Sequence, residues 1–171
     1  MSTWEAPPIE AVADKPALYR ALAQSYAGLI EGERDFIANA ANLAALVYAM
    51  LPELNWAGCY LLRGGELVLG PFQGKPACVR IAPGRGVCGA AAQRREALIV
   101  PDVHAFPGHI ACDAASRSEL VVPVLRGSGG ALLGVFDLDS PRPARFDAAD
   151  RDGIAVLVRR WVEGSDLPQA L

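Results

Sequence analysis

The chain has 171 residues, of which 52% are hydrophobic and 20% charged, with a formal net charge of −3 and a pI near 5.4. That length suits one domain with a proper core, and the hydrophobic share argues against a disordered chain. The acidity gives no broad basic footprint for nucleic acid, and no apolar run reaches the roughly 18 residues of a membrane span.

The N-terminus, MSTWEAPPIE, lacks the cationic-then-apolar pattern of a signal peptide. The expected location is therefore the cytoplasm, where four cysteines are more readily free, catalytic or metal-bound than permanently paired. Residues 1–13 form a Pro- and Ala-rich lead-in. Asp14 suits an N-cap and Pro16 a first helical turn. Leu18, Leu22, Tyr26 and Leu29 recur at helical spacing, which predicts a helix ending near Gly32. A second helix is expected over 33–51, with Phe36, Ile37, Ala40, Leu43, Val47 and Met50 on its apolar face and Pro52 as its stop.

A strand over 54–63 follows, and Gly64-Gly65 turns it into a hairpin with 66–72. The period of two places Leu54, Trp56, Tyr60 and Leu62 on one face, with Gly58 as a gap between the two aromatics. Asn55, Ala57, Cys59 and Leu61 share the other face, small and apolar enough to take helices. The aromatic face suits the floor of a ligand pocket and an ordinary core equally well. Residues 73–83 read as irregular and carry Cys78. Gly84-Arg85-Gly86 then opens a short Ala-rich helix to about Arg95. This is no dinucleotide fingerprint, because the third glycine and the later acidic residue are missing.

A short strand over 97–100 leads into a long loop punctuated by Pro101, Pro107 and Gly108, which holds His104, His109 and Cys112. Such a loop inside a compact domain is more often functional than connective. Strands over 120–126 and 131–139 make a hairpin around Gly127-Ser128-Gly129-Gly130. The last helix starts at Asp147 with Asp150 as its capping-box partner, and buries Ile154, Leu157, Val158 and Trp161. Hairpins dominate, so the expected fold is α+β with a mainly antiparallel sheet.

Cys59 falls inside a strand and reads as a small hydrophobe. Cys78, Cys88 and Cys112 fall in loops or at a helix start, which leaves three readings: buried hydrophobes, a zinc site, or redox chemistry. Zinc prefers paired spacing, and His109 with Cys112 is the single close pair. In the redox reading a thiolate becomes a sulfenic acid and a second cysteine condenses with it to a disulfide. Cys88, at a helix start, is expected to have a lowered thiol pKa. His109 offers Cys112 local help, and Asp113 opposes it.

Asp137 and Asp139 lie two apart in a strand and share a face, which is unfavourable without a cation or a shared proton. Glu119 sits on the partner strand. A hairpin loop of two or four residues would set it against Leu138, on the wrong face. A three-residue loop or one bulge would bring the three carboxyls together.

The segments NWAGCYLL, GPFQGKPACVRIAPGRGVCGAAA, VPDVHAFPGHIACDAASRSELVVPV and GVFDLDSP together closely resemble the free methionine-(R)-sulfoxide reductases, single-domain enzymes of the GAF fold. The resemblance covers about residues 33–161. It implies a central, mainly antiparallel sheet with the N- and C-terminal helices on one face and a ligand pocket on the other. One GAF-like domain would span 14–165, after the lead-in 1–13 and before a tail, 166–171. Cys112 would be the nucleophile, Cys78 the resolving cysteine and Cys88 a further member of the exchange. Glu119, Asp137 and Asp139 would bind substrate and supply acid, and Trp56 and Tyr60 would line the pocket. The implied reaction is thiol-dependent reduction of free L-methionine-(R)-sulfoxide, recycled by thioredoxin, with no metal and no organic cofactor. Cys59 stands where relatives are expected to carry an aromatic. The alternatives are a GAF-type ligand-binding or redox-sensing module without turnover, and a zinc-stabilised structural module. Paired helices with apolar faces also suit a homodimer.

Overall fold

The computed structural model describes residues 14–109, 113–127 and 129–167. Asp14 caps the first helix, its carboxylate accepting from the Ala17 amide at 2.7 Å, and α1 runs Lys15–Leu29. The helix stops one turn short of the expected Gly32, and the chain turns through Ile30 and Gly32, the latter with φ +77°. Asp35 caps α2 (Phe36–Met50) in the same way. Its buried face carries Phe36, Ala40, Leu43, Val47 and Met50 as the spacing predicts, and adds Ala44 and Leu46. Ile37 does not belong to it. At 40% exposure it lies past the edge of a stripe that Phe36 and Ala40 already fill.

The hairpin β1 (Trp56–Arg63) and β2 (Glu66–Gly74) closes on Gly64-Gly65, with Arg63 opposite Glu66. Two expectations fail here. The strand begins at Trp56 rather than at residue 54, so Leu54 packs into the helix-side core instead of joining the aromatic face. The stretch 73–83 is not wholly irregular: β2 continues to Gly74, and a short edge strand β3 (Arg80–Ile81) pairs with Leu67 and Val68. Helix α3 (Gly86–Arg94), strand β4 (Leu98–Val100), the hairpin β5 (Ser118–Leu125) and β6 (Leu132–Ser140), and helix α4 (Ala148–Gly164) complete the order. A capping box formed by Asp147 and Asp150 starts α4.

The six strands form one sheet in the order β3-β2-β1-β6-β5-β4, with every named pair antiparallel. One face meets α1, α2 and α4 through Ala57, Cys59, Leu61, Leu120, Val122, Phe136 and Leu138, and there Trp161 is fully buried. The Trp161 indole stacks on Phe36 with centroids 4.5 Å apart and donates its N–H to the Phe36 carbonyl at 2.8 Å. The opposite face carries Trp56, Tyr60, Val121 and Val135, and Cys88, Ala91 and Ala92 of α3 pack with it. The expected architecture is present, with the N- and C-terminal helices on one face.

The β5–β6 register decides the rest. At the hairpin end Leu125 faces Leu132, and continuing that ladder unbroken would set Glu119 against Leu138. The register instead shifts between Val124 and Leu125, so that Val124 faces Gly134, Val121 faces Asp137 and Glu119 faces Asp139. Leu133 is the extra residue of the bulge. Gly134 beside it lets β1 approach closely, since a Cβ there would lie 2.1 Å from the Tyr60 carbonyl oxygen.

Candidate active site

Directly opposed residues of an antiparallel pair point to the same face. One row across the sheet therefore runs Trp56, Asp139, Glu119 and Val100, and the next runs Phe72, Gly58, Asp137 and Val121. The three carboxyls share a face with the two aromatics, as the bulge alternative requires. Gly58 matters because a Cβ there would lie 2.3 Å from the Phe72 Cβ and 2.8 Å from the Trp56 ring. With no side chain in the way, Trp56 stacks on Phe72 at 5.4 Å and on Tyr60 at 5.9 Å between centroids. Trp56 and Tyr60 share the floor of a pocket with Glu119, Asp137 and Asp139, and Lys75, Arg85, Cys88, His109 and Asp113 also line it.

Helix α3 roofs the carboxyls. The Cys88 thiol points at Glu119 Oε1, 3.9 Å away, and His109 Nε2 lies 3.8 Å from Glu119 Oε2. Burial comes first in the electrostatics of the cluster. It pushes Glu119 and Asp137 well above the usual carboxyl range, and the charges of Asp137 and Asp139 push Glu119 further. Asp139 is raised to about 7 by burial, despite the hydrogen bond of Ser116 that favours its ionised form. Close carboxyls in an apolar setting hold protons that isolated ones would release. A protonated Glu119 cannot hold an imidazolium. Accordingly, burial and nearby His104 lower the His109 pKa despite the short distance.

The expectation for Cys88 is overturned. A helix start alone would lower its pKa, but the thiol is buried against Asp137 and Glu119, and burial followed by those two charges raises it. Position near the start of a nine-residue helix counts for less than what faces the sulfur. Cys59 is buried on the helix side with its thiol pushed up to about 12, and it does not line the pocket. Cys78 is half-buried and disulfide-bonded, whereas Cys59 and Cys88 are free. Cys112 lies outside the described residues.

The sequence reading missed the mouth of the pocket. Asn55, expected on the helix side, precedes the strand and donates to Asp113 Oδ2 at 3.1 Å and Ser116 Oγ at 3.0 Å. The Ala115 amide and Asn55 hold the Asp113 carboxyl below its usual range. Lys75 Nζ reaches Asp113 at 3.3 Å, and the Trp56 indole donates to the Lys75 carbonyl at 3.2 Å. A polar residue directly before a strand that floors a pocket was the available signal for Asn55. The mouth thus brings cations, Lys75 and Arg85, to a pocket with an acidic floor. That arrangement suits a small zwitterion.

This sheet, with its helices on one face and a pocket on the other, is that of a GAF domain, and the GAF domain family matches residues 18–160. The free methionine-R-sulfoxide reductase of Escherichia coli is 49% identical over 145 residues, 85% of this chain and 87% of that protein. The free methionine-R-sulfoxide reductase of Neisseria meningitidis, solved in complex with its substrate, superposes with a TM-score of 0.85 at 42% identity, covering 90% of this chain and 92% of that one. The reduced form of fRMsr of Staphylococcus aureus gives 0.82 at 46% identity, over 85% of this chain and 94% of that one. The chain belongs to the free methionine-R-sulfoxide reductases, an oxidoreductase family built on the GAF fold.

Proposed function

We propose that this chain reduces free L-methionine-(R)-sulfoxide to methionine, with Cys112 as nucleophile. The Cys112 thiolate attacks the sulfoxide sulfur while the carboxyl cluster protonates the oxygen, and the products are methionine and a sulfenic acid on Cys112. The Cys78 thiol then attacks the sulfenic sulfur, water leaves, and a Cys78–Cys112 disulfide closes. The dithiol of thioredoxin returns both thiols, as the usual potentials of such pairs allow, which places the cycle in the cytoplasm. Cys78, half-buried and directly after Ala77 of the pocket lining, resolves first. Cys88, buried on the sheet-facing side of α3, joins the exchange only after the loops rearrange. No organic cofactor enters the cycle.

One observation carries this reading: Glu119, Asp137 and Asp139 crowd together on the same face as Trp56 and Tyr60, where burial favours their protonated forms, with Asp139 the most readily ionised. A sulfoxide oxygen is a poor leaving group until protonated, and a carboxyl with a raised pKa is a donor at neutral pH. A carboxylate of the same cluster takes the substrate ammonium, Lys75 and Arg85 face its carboxylate, and the stacked rings take the methyl-sulfur end. Amides in place of both charged groups would not satisfy these partners, so a peptide-bound sulfoxide is refused.

The test is NADPH oxidation coupled through thioredoxin reductase and thioredoxin. The substrates are the free R epimer, the free S epimer and a peptide-bound sulfoxide, with Cys112→Ser run beside the wild type. Turnover of the free R epimer alone, lost in the variant, is expected. Folded, reduced protein that turns over no sulfoxide would instead be a ligand-binding module.

A further inference from the structure

We propose that Cys88, Glu119 and Asp137 form a binding site for a thiophilic divalent cation, Zn2+ in the first instance, within the acidic floor of the pocket. One ligand atom from each of the three lies within 4.8 Å of the others, and all three residues are buried. A thiolate with two carboxylates is a donor set that zinc accepts. Donor atoms around a tetrahedral zinc stand roughly 3.5 Å apart, given bonds of about 2.3 Å to sulfur and about 2.1 Å to oxygen. Closing the set therefore takes side-chain rotations of roughly 1 Å, without movement of the sheet. The fourth position faces the open pocket and takes water, as in zinc sites with three protein ligands.

An independent observation points to a missing ligand. Asp137 is only 6% exposed; its carboxyl meets the Cys88 thiol and Glu119 within the set, and its Oδ1 has no further hydrogen-bond partner. A buried polar atom left unpaired is costly, and such an atom inside a cluster of donors calls for an occupant. The neighbouring groups are arranged for one. Glu119 turns Oε1 toward the Cys88 sulfur and Oε2 toward His109, so His109 can hold the carboxylate in its ligating orientation. Asp139, opposite Glu119 on the same face, adds a further negative charge when ionised. Binding releases the thiol proton and any protons on the two carboxyls, and the cation takes over the charge balance that those protons keep. Because the same carboxyls face the proposed substrate ammonium, zinc and free methionine sulfoxide exclude one another. That competition, unlike the site itself, rests on the functional reading above.

Cys78 and Cys112 can bind zinc on their own when reduced, so the test uses the full chain with Cys78→Ser and Cys112→Ser as background. Calorimetry with ZnCl2 should show one equivalent bound, and CoCl2 should give a thiolate-to-cobalt charge-transfer band. Adding Cys88→Ser should abolish the band and weaken zinc by well over about tenfold, and Glu119→Gln should weaken it by at least about tenfold. Cys88→Ala, with circular dichroism on every variant, guards against a folding defect. No cobalt–thiolate band in the background protein, or equal zinc affinity with and without Cys88, would overturn the site. Zinc binding that depends on Cys88 yet ignores added methionine sulfoxide would leave the metal site standing and overturn the substrate reading.

Discussion

Asparagine at Asp139 should change how stability depends on pH. In the folded protein Asp139 titrates near 7, against 3.8 for an ordinary aspartate, chiefly because it is buried. Between those values the folded state keeps a proton that the unfolded chain gives up. Its contribution is full below about pH 4 and is lost as the pH rises through about 7. The difference between about 7 and 3.8, at about 1.4 kcal/mol per pH unit, comes to about 4 kcal/mol for this one group, of which about 3 kcal/mol falls above pH 5. Glu119 and Asp137 are displaced in the same direction and add to the loss. Asp113 and Asp147 are displaced downward, so their contributions change at lower pH, outside this window, whereas His109, lowered from 6.5, works in the opposite direction inside it and offsets part of the loss. Urea unfolding followed by circular dichroism should therefore show the wild type several kcal/mol less stable at pH 8 than at pH 5. Asp139→Asn removes its own titration and also part of the charge that raises Glu119 and Asp137, so at least half of the difference should vanish. Equal wild-type stability at the two pH values, or an unchanged difference in the variant, would refute the proton-holding cluster and with it the acid in the proposed reaction.

Gly134→Ala drives a Cβ to 2.1 Å from the Tyr60 carbonyl oxygen and should cost at least about 2 kcal/mol in urea unfolding. Trp161→Ala empties a fully buried site and leaves the Phe36 carbonyl without its indole donor, for a loss of about 4 kcal/mol by the same measurement. Cys59→Ala should leave sulfoxide turnover within about twofold of wild type while costing about 1 kcal/mol of stability, because the thiol sits among the helix-side residues.

What could be read from the sequence was local. Asp14 and Asp147 cap helices because a short acceptor before an apolar-periodic run has few other uses. The aromatic face of β1 followed from a period of two and from Gly58, whose missing side chain makes room for Trp56. Strand β3 was out of reach, since two residues show no period. Leu54 and Asn55 were misplaced because pairing with β6 begins at Trp56, a boundary that depends on the partner strand. The Cys88 thiol was misjudged for a similar reason. Its pKa is decided by Glu119 and Asp137, which sit on strands far along the chain. The strap from Lys75 to Asp113 joins two loops that no local pattern relates.

The bulge at Leu133 has an evolutionary consequence. Hairpin tips are where chains most readily gain and lose residues, and the tip here lies next to the register shift. A slide by a pair of residues there changes the cross-strand partners but preserves the face of the sheet that each side chain takes. An odd change that slides one strand past the other would place Glu119 opposite Leu138 and send its carboxyl into the helix-side core. The most tolerant stretch of backbone therefore adjoins the least tolerant alignment. A lineage could move between an acid-lined pocket and a plain ligand cleft by a single codon, with every helix and strand retained.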